Sequence, residues 1–330
     1  MTIRLGTAWP LLLSALCTTG GASAQGLAEW RPSKPVEIVA GSTAGGALDR
    51  TARDVQSALQ RQKLLDVPLV VTNKPGAGSS IAWAHVSNQR ADGHLLTVII
   101  PGLLTNKAMG IGTLTYKDVL PVAILSSEYV VFGVNTSSEV RSGRELVKLL
   151  RADPARLNIG IATALGGASH IAVAQTMKAA GVDVQRLHFI VYPSSADAVT
   201  ALLGNHIDLV AASAGNFLPV LKSGRIRTLA ITSQQRVPGV FGDIPTWSEQ
   251  GVNAVFAAWR GLAGARDMTP AQLRFWDETI RRMVQSTEWA ELLERTHQQS
   301  NYLGSSEASA YLDAQNRELN RTLVELGLVK

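Results

Sequence analysis

A repeated alternation of short apolar runs and helix-like segments limits this chain more than any other feature. Val36–Ala40 is a short apolar run, and residues 47–59 follow it at helical spacing. Residues 68–72 read as a strand, 80–89 as a helix and 95–100 as a strand. Two strand-like runs, 119–125 and 129–134, then lie close together. The alternation restarts with a helix over 142–151, where Ser142 and Glu145 have capping-box spacing. Strands over Asn158–Ala162, His188–Tyr192, 207–211 and 228–232 are interleaved with helices over 169–180, 196–203 and 216–222, the last ended by Gly224. From Thr269-Pro270, a cap followed by an N1 proline, the chain is mainly helical over 270–286, 289–298 and 306–326. Strands alternating with helices specify an α/β fold, with a largely parallel sheet covered on both faces.

No Pro- or Ser-rich linker divides the chain, and no solenoid-length repeat is present. Two lobes would then be joined by strands that cross between them, near 129–134 and 228–232. The expected division is 25–128 with 228–330 in one lobe and 129–227 in the other. Ahead of the lobes stand Arg4, a mostly apolar stretch over 5–17 and the small-residue site Ala22-Ser23-Ala24. That pattern reads as a secretory signal peptide over 1–24, with a soluble, periplasmic mature chain beginning near Gln25. Cys17, the only cysteine, falls inside the leader, and the bulky Leu16 before it argues against lipid attachment. The mature chain therefore has no disulfide and no thiol metal ligand.

Three glycine-bearing turns carry the functional signal. GSTAGGALD over 41–49 and TALGGASH over 163–170 each follow a strand and open a helix. KPGAGSS over 74–80, containing Gly78, precedes another helix. A helix N-terminus leaves backbone N–H groups unpartnered at the positive end of the macrodipole. Glycine lets the backbone turn and approach closely. Such a turn is either a tight connection or an anion site, and a matched pair, one in each lobe, favours the anion site. The candidate residues are Gly45, Gly46, Gly166 and Gly167, with hydroxyls from Ser42, Thr43, Thr163 and Ser169. Neither turn has a nucleotide-binding fingerprint. The net charge of +5 has no clustered basic face, which suits small anions and gives no reason to expect a nucleic-acid partner. Arg281-Arg282 reads as a solvated helix face.

With these residues in place, the chain resembles the substrate-binding proteins of tripartite tricarboxylate transporters, the Bug family. The likeness covers nearly all of the mature chain. It runs from WRPSKPVEIV (30–39) through the first Gly-Gly turn, NKPGAG (73–78) and ADGH (91–94) to GGASH (166–170). It continues with ALLGNHID (201–208), GRIRTLA (224–230), DIPT (243–246), EQG (249–251) and the helical C-terminus. The resemblance implies a type II periplasmic-binding-protein-like fold that closes on its ligand. It also implies that the two Gly-Gly loops pinch a ligand carboxylate. A monomeric, non-enzymatic receptor is expected, taking a small di- or tricarboxylate to the membrane subunits of a transporter, with no cofactor. A receptor-docking sensor and an exported hydrolase are the alternatives.

The departures from the family pattern bear on the cleft. Ser42-Thr43-Ala44 stands where the family often has prolines, which loosens the loop or admits another ligand group. Tyr192-Pro193-Ser194 replaces Tyr-Lys-Gly, and Ala212-Ser213 replaces Phe-Asp, so both changes remove charge. Trp259-Arg260-Gly261 often reads Trp-Tyr-Gly. Together with Gly204-Asn205-His206, Arg260 looks more like the citrate-binding branch. Arg260 either grips a second carboxylate bidentately or is a surface arginine on a loop. Tyr192, Ser194 and Ser213 are further candidate contacts, and Trp259 is the tryptophan expected nearest the cleft. Asp49 and His170 have no nucleophile-elbow context and read as caps or cleft-lining polar groups. The six histidines show no paired metal spacing, so no metal is expected.

Overall fold

The structure, a computed structural model, describes residues 1–2 and 29–329. Nearly all of the expected leader, including Cys17, lies outside the described residues. The chain begins with β1 (Val36–Ala40), α1 (Ala47–Arg61), β2 (Leu69–Asn73), α2 (Ser80–Ser87), β3 (Leu95–Ile99) and the short α3 (Gly102–Thr105). The long strand β4 (Val119–Asn135) follows, then α4 (Gly143–Ala152), β5 (Asn158–Ala162), α5 (Ala168–Ala179), β6 (His188–Tyr192) and α6 (Ser195–Leu203). Next come β7 (Leu209–Ser213), α7 (Leu218–Leu221) and β8 (Ile226–Ile231). The chain ends with β9 (Ala257–Ala265), α8 (Pro270–Val284), α9 (Thr287–Thr296), β10 (Gln299–Leu303) and α10 (Ser305–Glu325).

The strands hydrogen-bond in the order β2-β1-β3-β9-β4-β7-β5-β6, with β8 and β10 also on β4. β1 is parallel to β2 and β3, and β5 is parallel to β6 and β7. Each lobe is therefore an α/β unit, and the mixed sheet curls through both as a type II periplasmic-binding-protein-like fold. Local chemistry explains the elements. On α1, Leu48, Thr51, Ala52, Val55, Ala58 and Leu59 are buried at helical spacing. Ser142 caps α4 by accepting from the Glu145 N–H, and Thr269 caps α8 with Gln272 completing the box. One core gathers Trp83, Trp259 and Trp276; another sets Phe132 edge-on to Trp247 at 4.9 Å.

The crossings between lobes differ from the expectation in two ways. The runs 119–125 and 129–134 are one strand, because the polar Ser126-Ser127-Glu128 between them is paired with β9 instead of forming a turn. The return strand also comes later than 228–232. β8 pairs with Val131–Asn135 in the second lobe, and β9 leads back to the first. β9 reads AAWRGLAGA, a sequence with few β-formers. Small residues suit it because it lies between β3 and β4, where a Cβ on Gly261 would sit 2.5 Å from the Ala123 carbonyl. Thr232 stitches the two crossings together. Its Oγ1 accepts from Val130 N–H at 3.0 Å and donates to Phe256 O at 2.7 Å.

Candidate ligand cleft

The two Gly-Gly loops are built alike, one in each lobe. Gly45 and Gly166 take left-handed φ values of 78° and 76°. Gly46 and Gly167 follow as N-cap residues, with φ/ψ of −70°/170° and −72°/171°. In each loop the left-handed glycine donates its N–H to the side chain four residues on. Gly45 N–H meets Asp49 Oδ2 at 2.9 Å, and Gly166 N–H meets His170 Nδ1 at 2.8 Å. Asp49 and His170 are therefore equivalent braces. Neither N-cap glycine has a side chain to satisfy its helix, so the first N–H groups of α1 and α5 are left for another acceptor.

The braces are electrostatically different. Burial raises the Asp49 pKa, but hydrogen bonds from Arg53, the Gly45 N–H and Asn73 outweigh it and hold the carboxyl below its usual value. Burial lowers His170 to about 4, so the ring is neutral at pH 7 with Nδ1 as acceptor and Nε2 protonated. Its ring stands edge-on to Phe189 at 4.5 Å. Among the described residues, no serine hydroxyl hydrogen-bonds His170.

Both loops meet one interlobe cavity. Its walls include Ser42, Ala47 and Leu48 at the start of α1, Thr163, Ala168 and Ser169 at the start of α5, and Ser194 and Ser195 at the start of α6. Three helix N-termini thus converge with six hydroxyls, an arrangement suited to an anion. Ser213 and Arg260 line the remaining side, with apolar surface from Ile100 and Val130. Thr163 holds a φ of 65°, strained for a β-branched residue, with the Ala164 N–H bonded to Ala162 O across it.

The lobes are closed on one another. Thr43 Oγ1 donates to Asp197 Oδ2 at 2.7 Å, and Thr105 Oγ1 donates to Gly166 O at 2.7 Å. A Cβ on Gly46 would lie 2.6 Å from Ser194 Cβ, and one on Gly78 would lie 2.9 Å from Ala164 Cβ. These glycines permit the close approach.

Arg260 is not a loop arginine. It lies on β9, 3% exposed, and its Nη2 donates to Ser213 Oγ at 2.9 Å and to Glu128 Oε2 at 3.3 Å. Burial lowers its pKa, opposed by the neighbouring Glu128, and a guanidinium remains cationic in such a setting. Glu128 also accepts from Arg50 at 3.4 Å and from the Gly215 N–H at 2.8 Å.

Of the residues singled out from the sequence, Ser42, Thr163, Ser169, Ser194, Ser213 and Arg260 line this cavity. Thr43, Thr163 and Tyr192 line an adjoining groove beside Pro75, Gly76 and Val191. Gly45, Gly46, Gly166 and Gly167 shape the loops, Gly78 packs between the lobes, and Asp49 and His170 brace the loops behind the lining. Trp259 faces away from the cleft, 1% exposed in the core and edge-on to Tyr311. Sequence reasoning missed Glu128 and Asp197. Glu128 was hidden inside a polar break between two apolar runs. Asp197 carried a usable signal, since it stands three residues after the N-cap Ser194.

Residues 51–328 match the family model described as tripartite tricarboxylate transporter family receptor. Protein BugT of Bordetella pertussis is 27% identical over 285 residues, covering 83% of this chain and 84% of BugT. An R. palustris protein solved with adipate has a TM-score of 0.82 at 22% identity, covering 90% of this chain and 99% of that one. MatC of Rhodopseudomonas palustris, solved with bound malate, has a TM-score of 0.74 at 22% identity, covering 91% of this chain and all of that one, 100%.

Proposed function

This chain belongs to the tripartite tricarboxylate transporter receptor family, and from that premise we propose that it is a periplasmic receptor that closes on a small carboxylate and delivers it to the membrane subunits of a transporter. The observation that carries this reading is the convergence of three helix N-termini and their hydroxyls on one interlobe cavity. Backbone N–H groups and partial positive charge suit a carboxylate, and neither gives a nucleophile. The relatives solved with adipate and malate support the same class of ligand. Asp49 and His170, the residues that would suggest hydrolysis, are occupied as loop braces, which favours binding without chemistry.

The two lobes act as 29–129 with 257–329, and 130–256, turning about the stitched crossings at Val130, Thr232 and Phe256. A ligand that touches both lobes binds the closed state better than the open one and so shifts the population toward it. The test is a thermal-shift screen of the chain from Gln25 against a carboxylate panel. A ligand at one hundred times its Kd stabilises the fold by about 2.7 kcal/mol. A shift with a carboxylate and none with its methyl ester supports the reading; no shift with any acid sinks it.

A further inference from the structure

We infer that the ligand is a short dicarboxylate dianion, held by one carboxylate at the helix N-termini and by the other on Arg260, with Glu128 excluding a third. The inference rests on the carboxylate reading above and narrows it. Arg260 is the only charged residue among those lining the cavity. A guanidinium carries five N–H donors. In Arg260, Nη2 is engaged by Ser213 and Glu128, Nη1 makes only a 3.4 Å contact to the Trp259 carbonyl, and Nε has no partner. Buried donors left unmade are costly, so a fully buried arginine in a cavity wall is matched to an acceptor that arrives there.

The charge count sets how many carboxylates fit. Glu128 is 2% exposed and stands between Arg50 and Arg260. Two arginines against one carboxylate leave one positive charge for the ligand. Each helix N-terminus supplies only about half a charge, which suits the first carboxylate. A third carboxylate would find no spare buried cation and would face Glu128, and an uncompensated buried charge is strongly disfavoured. Leu48, Ile100 and Val130 offer apolar wall for a hydrocarbon spacer.

Calorimetric titration of the mature chain tests this with α,ω-dicarboxylates of increasing length, the monoamide of each, and propane-1,2,3-tricarboxylate. At least one dicarboxylate is expected to bind tenfold or more tighter than both its monoamide and the tricarboxylate. The paired variant Arg260→Gln with Glu128→Gln removes both charges together. It should bring the diacid-to-monoamide ratio close to one while leaving monoamide affinity in place. Glu128→Gln alone should narrow the penalty on the tricarboxylate. Should the paired variant fail to fold, the ratio in the unaltered protein still decides. Equal affinity for diacid and monoamide overturns this inference and spares the carboxylate reading. Tightest binding of the tricarboxylate overturns the exclusion by Glu128. No heat from any acid overturns the carboxylate reading and this inference with it.

Discussion

Acid should weaken this protein through His170, and Asn at that position should remove the effect. The neutral ring accepts the Gly166 N–H through Nδ1 at 2.8 Å, 1% exposed. Protonation would turn that acceptor into a donor facing a donor. Burial lowers the folded-state pKa to about 4, against the usual 6.5 of the unfolded chain. The sign follows from proton uptake. Above pH 6.5 neither state is protonated and the full stability is present. Between pH 6.5 and 4 the unfolded chain binds a proton that the folded chain refuses, so stability falls with pH and then levels off. The full loss is about 3 kcal/mol, and at pH 4.5 about 2.5 kcal/mol of it has been reached. In His170→Asn, the amide oxygen takes the Gly166 N–H and does not titrate. Urea unfolding of both proteins at pH 7.5 and 4.5 isolates the term, because the other titrating groups are common to both. The parent should lose about 2–3 kcal/mol more than the variant between the two pH values. Equal losses, within about 0.5 kcal/mol, would refute the assignment of His170 as a neutral brace.

Other predictions follow from the closed geometry. Gly46→Ala would place a Cβ 2.6 Å from Ser194 Cβ, so it should weaken ligand binding at least tenfold in titration while the fold stays near the parent in melting. Gly45→Ala meets nothing within 4 Å but sits at a φ of 78°, so it should instead cost about 1 kcal/mol of stability in urea unfolding. Thr43→Val deletes the 2.7 Å bond to Asp197 between lobes and should weaken ligand affinity by about 1–2 kcal/mol, read as a faster off-rate. Thr163→Gly relieves a left-handed φ of 65° and should raise the unfolding free energy by about 1 kcal/mol while lowering affinity through the lost hydroxyl.

Local signals located most of the fold and half of the cavity. Strands β1, β5 and β6 have the bounds that the sequence predicts, because apolar runs between turn residues are read locally. Ser42, Ser169 and Ser194 could be placed because each sits at a strand-to-helix turn, where the ligand end of an α/β sheet lies. β9 was invisible for the opposite reason. Its alanines and glycines are chosen by neighbours from distant sequence, and its single arginine is tolerated only because Glu128 and Ser213 meet it in space. β10, QSNYL, is polar for a strand and pairs only with β4, so it too lacked a pattern to read. Asp49 and His170 were legible as polar groups near the turns. Their shared task was not, since it depends on the same left-handed glycine in both loops.

That shared geometry separates the conserving part of the site from the selecting part. Two loops with matched glycine conformations, matched N-caps and matched four-residue braces offer backbone N–H groups. Backbone donors recognise a carboxylate whatever is attached to it. Selection therefore has to come from groups outside the loops, and the charged wall residue, Arg260, stands on β9 close to the crossings. Its partner Glu128 lies on β4, two residues before Val130, which Thr232 ties to the other crossing. A ligand group that engages Arg260 thus acts on the strands about which the lobes turn. A ligand that satisfies the loops alone holds the lobe edges and leaves the buried arginine short of acceptors, which disfavours closure. Occupancy and closure should then diverge for monocarboxylates: they should bind weakly and produce a smaller change in small-angle scattering radius than a dicarboxylate at equal saturation. Equal contraction by both would place the selection elsewhere than on Arg260.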